Sequence, residues 1–293
     1  MANTVFPGYR GIANITPGIG NFRFADASIT ATQEVNAPDL IMGDWDHDAY
    51  NYGPITVGGS MSGPVTETFA SSVGVFPWAC KRTAPCGELD KKTVTLYYFC
   101  GTAPMGGNTR TFTDMLVQSV GFSCAAGDVA TFTLEVIGTK AGAWTQGIAP
   151  QVTTAEKLIT WDKVNVKVTT NGDDVTGINF NNLAYSNFDF TINNNIEPVY
   201  SLGQSNLFPY EIVPGLRTIT GTISVYNAPA IDGRDFWDQY LAANVSVIQF
   251  NIGALSINMR IRFHRIQPAS SVGPIISTVG FTGVTHQTGS PWV

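Results

Sequence analysis

Basic charge is scarce in this chain: 16 Lys and Arg stand against 22 Asp and Glu in 293 residues, a net charge of −6. Proteins that grip DNA or RNA do so through Lys and Arg on phosphates, so this balance argues against tight nucleic-acid binding. Histidine is scarcer still, with only His47, His264 and His286. Strand alternation would put His264 on one face with Arg260 and Arg262, where positive neighbours disfavour a charged imidazole and make a poor base. No Gly-x-Ser-x-Gly elbow, phosphate-binding glycine loop or His-Glu-x-x-His pair is present. The chain therefore reads as a non-enzyme with no catalytic residue and no cofactor. The four cysteines, Cys80, Cys86, Cys100 and Cys124, lack the tight spacing of a zinc site and read as free thiols, with a Cys80–Cys86 disulfide as the alternative. Long apolar runs are missing too, so no helix is expected to span a membrane. Residues 1–20 lack a charged start followed by an apolar core; they read as an extended arm rather than a signal peptide, which predicts a product made in a cytoplasm.

What the chain has is β-strand chemistry. Thr, Val, Ile and Phe alternate with Ser, Asn and Gly along most of its length. Strands are expected near 22–35, 55–65, 93–101, 164–170, 186–193, 217–226 and 275–284, with hairpins around 125–127 and 253–255. Asn171-Gly172-Asp173-Asp174 is a further hairpin signal, so its carboxylates read as turn chemistry rather than a catalytic pair. Residues 232–243 read as a helix, with Asp232 as N-cap and an apolar stripe of Phe236, Trp237, Tyr240 and Leu241. Pro77 interrupts a shorter helical piece within 71–82. Residues 37–52 and 196–214 read as long loops. Asp44, Asp46 and Asp48 alternate around Trp45 and His47, but the glycine and glutamate of a calcium loop do not follow, so a solvated acidic tip with no metal is expected. Trp144, Trp161 and Trp237 sit in unlike contexts and read as core or interface residues rather than a sugar platform.

One pattern recurs. Asn21-Phe22-Arg23-Phe24 and Asn187-Phe188-Asp189-Phe190 each precede a matched strand, 57–62 (VGGSMS) and 219–224 (ITGTIS). Val120-Gly121-Phe122-Ser123 and Val279-Gly280-Phe281-Thr282 follow in the same order. The reading is a duplicated β unit. It divides the chain into an arm (1–20), a first unit (21–140), a linker with a hairpin (141–184) and a second unit (185–293). Each unit is expected to be a small β-sandwich or half-barrel with a short flanking helix.

Residues 187–227 (NFDFTINNNIEPVYSLGQSNLFPYEIVPGLRTITGTISVYN) resemble bacteriophage tail tube proteins. The shared phrase is a strand ending in Asn-Asn-x-Ile-Glu (193–197), a Pro- and Gly-rich loop, then a Gly-x-Arg-x-Ile-Thr-Gly-x-Ile strand (215–223). The resemblance implies homo-oligomeric rings that stack into a hollow virion tail, assembled in the host cytoplasm. The implied partners are the chain itself, other tail proteins, a tape measure protein and duplex DNA in the lumen without tight binding; no membrane is implied. The two units would close into a ring-shaped β-barrel on oligomerisation, as a homotrimer that mimics six-fold symmetry. Gly58, Ser60, Ser62, Thr220, Thr222 and Ser224 are the candidate lumen-facing residues. Asp44, Trp45, Asp46, Asp48, Gly203, Phe208 and Pro209 are candidate contacts between rings. A baseplate hub or tail-terminus ring of the same fold, or a carbohydrate- or receptor-binding β module, are the alternatives.

Overall fold

The computed structural model describes residues 11–36, 51–71, 75–80, 89–98, 106–148, 157–170, 184–202, 207–226, 245–269 and 276–284. The candidate helix at 232–243, the Asn171 turn, the acidic tip at 44–48, His47, His286, Trp237, Cys86 and Cys100 lie outside the described residues.

The chain is mainly β, as its alternation predicts, and one 16-stranded sheet runs through both halves. In the first half the strands are β1 (Gly11–Thr16), β2 (Gly20–Phe24), β3 (Asp26–Ala27), β4 (Thr30–Asn36), β5 (Asn51–Pro64), β6 (Lys92–Tyr98), β7 (Gly106–Ala125) and β8 (Thr131–Gly138). Two short helices, α1 (Glu67–Ser71) and α2 (Val75–Cys80), follow β5. Pro77 sits in the first turn of α2, where a missing N–H breaks no helical bond, so the helix forms despite it. The stretch read as a linker carries β9 (Lys140–Ala141), β10 (Thr145–Ile148) and β11 (Val164–Thr170). The second half holds β12 (Tyr185–Asn193), β13 (Ile196–Val199), β14 (Glu211–Pro214), β15 (Thr218–Tyr226), β16 (Ser246–Ile252), β17 (Leu255–Ala269) and β18 (Ile276–Gly283).

Both expected hairpins form, β7–β8 and β16–β17, and their turns contain Gly127 (φ 93°) and Gly253 (φ 59°) in the left-handed region that glycine tolerates. The stretch 196–214 is not a plain loop. Its two ends pair as the β13–β14 hairpin, a separate two-stranded sheet that places Pro198 and Pro214 in a ribbon with no further strand neighbours among the described residues. The segment 22–35 is likewise not one strand: β2 pairs with β1, while β3 and β4 pair with β5.

The main sheet runs β4–β5–β8–β7–β12–β15–β18–β17, every neighbour antiparallel. β7 is long enough to serve two layers. Its C-terminal half lies between β8 and β12, and its N-terminal half leaves this sheet to pair with β6, β9 and β10. The corner falls at Asp114, whose φ is 54° and whose Oδ2 accepts a 3.0 Å bond from Thr139 Oγ1. β17 divides in the same way: its N-terminal half pairs with β16 and its C-terminal half with β18. The sheet thus folds over itself twice without closing.

The core fills the space under these folds. Over β8, Phe22 of β2 and Phe69 of α1 meet Phe132, with Phe69 and Phe132 stacked at 4.2 Å. Over β12, Phe250 of β16 stacks on Phe190 at 4.6 Å and lies 4.9 Å from Phe188. Phe122 and Phe190, 5.5 Å apart, join the two clusters across the β7–β12 pairing. Each such ring contributes roughly 1.5–3 kcal/mol by burial, which makes this apolar face the main source of stability. Trp78 is fully buried and donates its indole N–H to the Met115 carbonyl at 3.3 Å, tying α2 to β7.

Candidate functional site

The opposite face of the main sheet is polar because alternation along every strand sends Thr, Ser, Asn and Asp there. Register turns those residues into rows that cross five or more strands of the sheet. One row runs Asp26, Ser62, Thr133, Gly121, Thr191, Thr220, Thr282, Arg262. The next runs Ser60, Glu135, Ser119, Asn193, Thr218. Another runs Pro64, Thr131, Ser123, Asp189, Thr222, Gly280.

Neighbours in these rows bond to each other. Ser123 and Thr131 hydroxyls lie 2.8 Å apart, Ser28 and Ser60 3.1 Å, and Ser224 and Thr278 3.0 Å. Ser119 Oγ donates to Glu135 Oε2 at 2.7 Å, and Thr222 Oγ1 donates to Asp189 Oδ1. Cross-strand hydroxyl and hydroxyl–carboxylate pairs of this kind stiffen a sheet surface. Glu135 and Asp189 line an open hollow on this face, and each carboxylate accepts a bond from a neighbouring hydroxyl. Among the described residues no three His, Cys, Asp or Glu side chains are grouped to hold a metal, and no helix is long and apolar enough to cross a membrane.

All six candidate lumen residues lie on this face, opposite the buried Val57, Met61, Ile219 and Ile223. Ser60, Ser62, Thr220 and Thr222 reach solvent; Ser224 is buried against Thr278. Gly58 lies opposite Ile137, which lies opposite Leu116. Those two side chains form a small second core with Leu89, Ile196 and Ile212, so the β13–β14 hairpin covers the Gly58 end of the face. Glycine is required one residue on. A Cβ on Gly59 would sit 2.5 Å from the Ser28 carbonyl oxygen, and a Cβ on Gly221 would sit 2.5 Å from the Asp189 carbonyl oxygen.

Of the candidate contacts between rings, Asp44, Trp45, Asp46, Asp48 and Gly203 lie outside the described residues. Phe208 turns inward against the main core and Pro209 is buried. The apolar side chains that the hairpin exposes are others: Tyr200, Leu202, Leu207, Tyr210, Val213 and Leu216, with Leu202 and Leu216 101% and 80% exposed. Sequence reading missed them because apolar residues between prolines carry no periodicity. Tyr200 Oη bonds the Ile55 carbonyl at 3.3 Å, and the Ile55 N–H donates to the Leu207 carbonyl at 2.8 Å, which anchors the hairpin on β5.

The base of that hairpin holds a buried side chain with three hydrogen-bond partners. Asn194 is 0% exposed. Its Nδ2 donates to the Ala79 and Val117 carbonyls, both at 2.8 Å, and its Oδ1 accepts from Arg217 Nε at 2.8 Å. Its main-chain N–H donates to the Gln118 carbonyl at 2.8 Å. One amide therefore ties α2, β7 and the start of β15 together. Asn194 and Arg217 belong to the phrase singled out in the sequence, and the structure gives both a positioning role.

His264 is the extra residue of a bulge in β17, between Phe263 opposite Phe281 and Arg265 opposite Gly280. It is exposed, and its imidazole lies over Gly280, where a Cβ would be 3.0 Å from Cε1. The bulge returns Arg265 to the face of Arg262. A bulge of the same form occurs in β7, where Gln118 is the extra residue between Val117 and Ser119. Cys124 is a free, buried thiol pushed up by desolvation and then by Asp128, which disfavours the thiolate. It lines a cleft with Trp161, Asp162, Tyr185 and Asn187. The Tyr185 phenol is pushed up by burial and stays neutral. Trp144 and Trp161 are exposed rather than in the core, and Arg110 lies 5.4 Å from the Trp144 ring.

The geometry is that of a sheet scaffold, with its polar groups spent on one another. A comparison with family models gives the particular class: the phage tail tube protein model matches residues 4–283. The chain belongs to the phage tail tube protein family and is a structural protein of the virion tail. A comparison with curated proteins finds no match.

Proposed function

We propose that this protein forms rings that stack into the hollow tube of a phage tail, through which duplex DNA passes at ejection. The single observation that carries the reading is the order of the main sheet. Its first four strands, β4–β5–β8–β7, and its last four, β12–β15–β18–β17, have the same order and the same chain path. In each, two strands pair, the chain leaves, and it returns as a hairpin whose second strand docks on the second strand of the pair. The bulges at Gln118 and His264 fall at the same place in that path. So do the close approaches of Gly59 to Ser28 and Gly221 to Asp189. Two copies of one four-stranded unit account for all of this.

The equivalence corrects the matches by which the repeat was read. On this reading the strands holding VGGSMS and ITGTIS correspond. The Asn-Phe-x-Phe segments do not: Asn21–Phe24 falls on β2, which pairs with β1, whereas the counterpart of β12 is β3–β4. Val120–Ser123 and Val279–Thr282 lie on β7 and β18, opposite arms of their hairpins.

A unit with two open edges closes only by repetition around an axis. Three chains supply six units and about 24 strands, which at roughly 4.8 Å spacing and roughly 40° tilt give a backbone diameter of about 50 Å. The polar face is the lining, because the other face is core. Its Ser, Thr, Asn, Glu135 and Asp189 offer DNA few cations, so the chain slides without capture; each Lys–phosphate or Arg–phosphate contact would add affinity through counterion release. The β13–β14 hairpin, with its exposed Leu202 and Tyr210, reaches toward the adjacent ring and hides that apolar surface there. The tape measure protein would occupy the same lumen before DNA.

Negative-stain microscopy of the purified chain tests this. Hollow tubes or rings with three-fold or pseudo-six-fold averages are expected. Single rings that never stack favour a hub or terminus role, and monomers at high concentration overturn the proposal.

A further inference from the structure

The geometry points to the register in which two copies of this chain join: residues 266–269 on the outer edge of β17 pair antiparallel with residues 28–31 of a second copy, Gln267 opposite Thr30. This rests on the ring reading and deepens it to named pairs.

The template is inside the molecule. The edge of the first unit, β7, is already joined to the start of the second, β12, with Gly121 opposite Thr191 and Phe122 opposite Phe190. Counting from the shared bulge, Gln267 stands where Gly121 stands, three residues past His264 as Gly121 is past Gln118. Counting from the shared glycine, Thr30 stands where Thr191 stands: Thr30 lies opposite Gly58 next to Gly59, and Thr191 opposite Thr220 next to Gly221. Among the described residues no strand pairs with the outer side of β3–β4, and residues 266–269 of β17 pair with β18 on one side and with no strand on the other.

Hydrogen-bond parity supports the same register from each edge independently. Ser28 N–H donates to the Ser60 carbonyl at 2.8 Å, so Ser28 and Thr30 spend their main-chain groups on β5 while the main-chain N–H and C=O of Ile29 and Ala31 point away from it. Val284 N–H donates to the Arg260 carbonyl at 2.9 Å. Followed through the bulge, that parity turns Gln267 toward β18 and Ile266 and Pro268 outward. The outward residues then meet: Ile266 with Ala31, and Pro268 with Ile29. The same parity holds in the internal joint, where Ala126 N–H donates to the Ser186 carbonyl at 2.7 Å and Asn194 N–H to the Gln118 carbonyl at 2.8 Å. Pro268 removes one donor from the β17 edge, which blunts it against chance pairing before the ring forms.

Gln267 and Thr30 make a non-hydrogen-bonded pair, where Cα atoms lie about 4.5 Å apart, a separation a disulfide accepts. The double variant Thr30→Cys/Gln267→Cys is oxidised after assembly and run on a non-reducing gel beside each single variant and the out-of-register pair Thr30→Cys/Ala269→Cys. The in-register pair is expected to yield covalent dimers and trimers, at least ten times more than the out-of-register pair or the single variants, with the ladder ending at three chains. Rings visible by microscopy without that cross-link overturn the register and leave the tube reading standing. Strong cross-linking of the Ala269 pair overturns the register as well. Absence of rings in both the variants and the parent chain overturns the tube reading itself.

Discussion

The strands β4–β5–β8–β7 and β12–β15–β18–β17 follow one path and differ in what meets their last strand. Beyond β7 lies β12 of the same chain, latched at the bulge by Asn194, whose buried side-chain amide donates to the Val117 carbonyl and whose main-chain N–H donates to the Gln118 carbonyl. Beyond the C-terminal half of β17 no described strand follows. The residue of the first unit that corresponds to Asn194 is Gln33, which is exposed and reaches the Gly53 carbonyl at 3.5 Å. A joint within one chain is thus held by a desolvated amide with three partners, whereas the matching position at the open edge keeps its side chain in water. The difference fits a contact that forms late, since a buried amide left without its partners would destabilise the free chain.

Substitutions that act on one joint and spare the other sharpen this contrast. The largest effect is expected from Phe190→Ala, which empties the bridge between the aromatic clusters at the β7–β12 joint; a loss of about 3–5 kcal/mol in denaturant unfolding is expected. Asn194→Ala leaves two buried carbonyls and the Arg217 guanidinium short of partners and is expected to cost about 3 kcal/mol, while Gln33→Ala should leave the unassembled chain unchanged. If both cost the same, the two positions are not distinguished as argued. Gly59→Ala and Gly221→Ala push a methyl against the same carbonyl in the two units, so similar losses of about 2 kcal/mol or more are expected from each. A large loss at one and none at the other would break the equivalence of the units.

A smaller effect concerns alkaline pH. Burial raises the Tyr185 phenol above its ordinary value of 10.0, so the folded chain holds a proton that the unfolded chain releases. Stability should be intact below that value and fall as pH rises past it. Tyr185→Phe should flatten this fall in melting temperature. The smallest effect is at the exposed Glu67–Lys163 pair, 2.8 Å apart, whose hydrogen bond lowers the Glu67 carboxyl and raises the Lys163 amine. The Glu67 contribution is present above the ordinary glutamate range and lost as pH falls through its lowered value; Glu67→Gln should leave the unfolding midpoint unchanged within error.

Much of the local structure was legible. Alternation placed β12, β15 and β18, and it put Ser60, Ser62, Thr220 and Thr222 opposite the core. Gly127 and Gly253 marked the two hairpins because their turns need positive φ. Other features were not. Proline at 198, 209 and 214 made a paired ribbon look like a loop. Exposed Leu202 and Leu216 looked no different from core leucines. The Asn-Phe-x-Phe segments fall on β2 and β12 and the Val-Gly-Phe segments on β7 and β18, strands with unlike neighbours, since such phrases are what any half-buried strand presents.

By itself, the order of residues determined that the chain is mainly β and which side of β5, β12 and β15 is apolar, because alternation depends on neighbours one or two positions away. Only the tertiary structure decided that β7 and β17 serve two layers, that Gln118 and His264 bulge alike, and that β12 is the strand beside β7. Strand partners are chosen by hydrogen bonds and packing between residues far apart in the chain, and a local pattern is compatible with many partners.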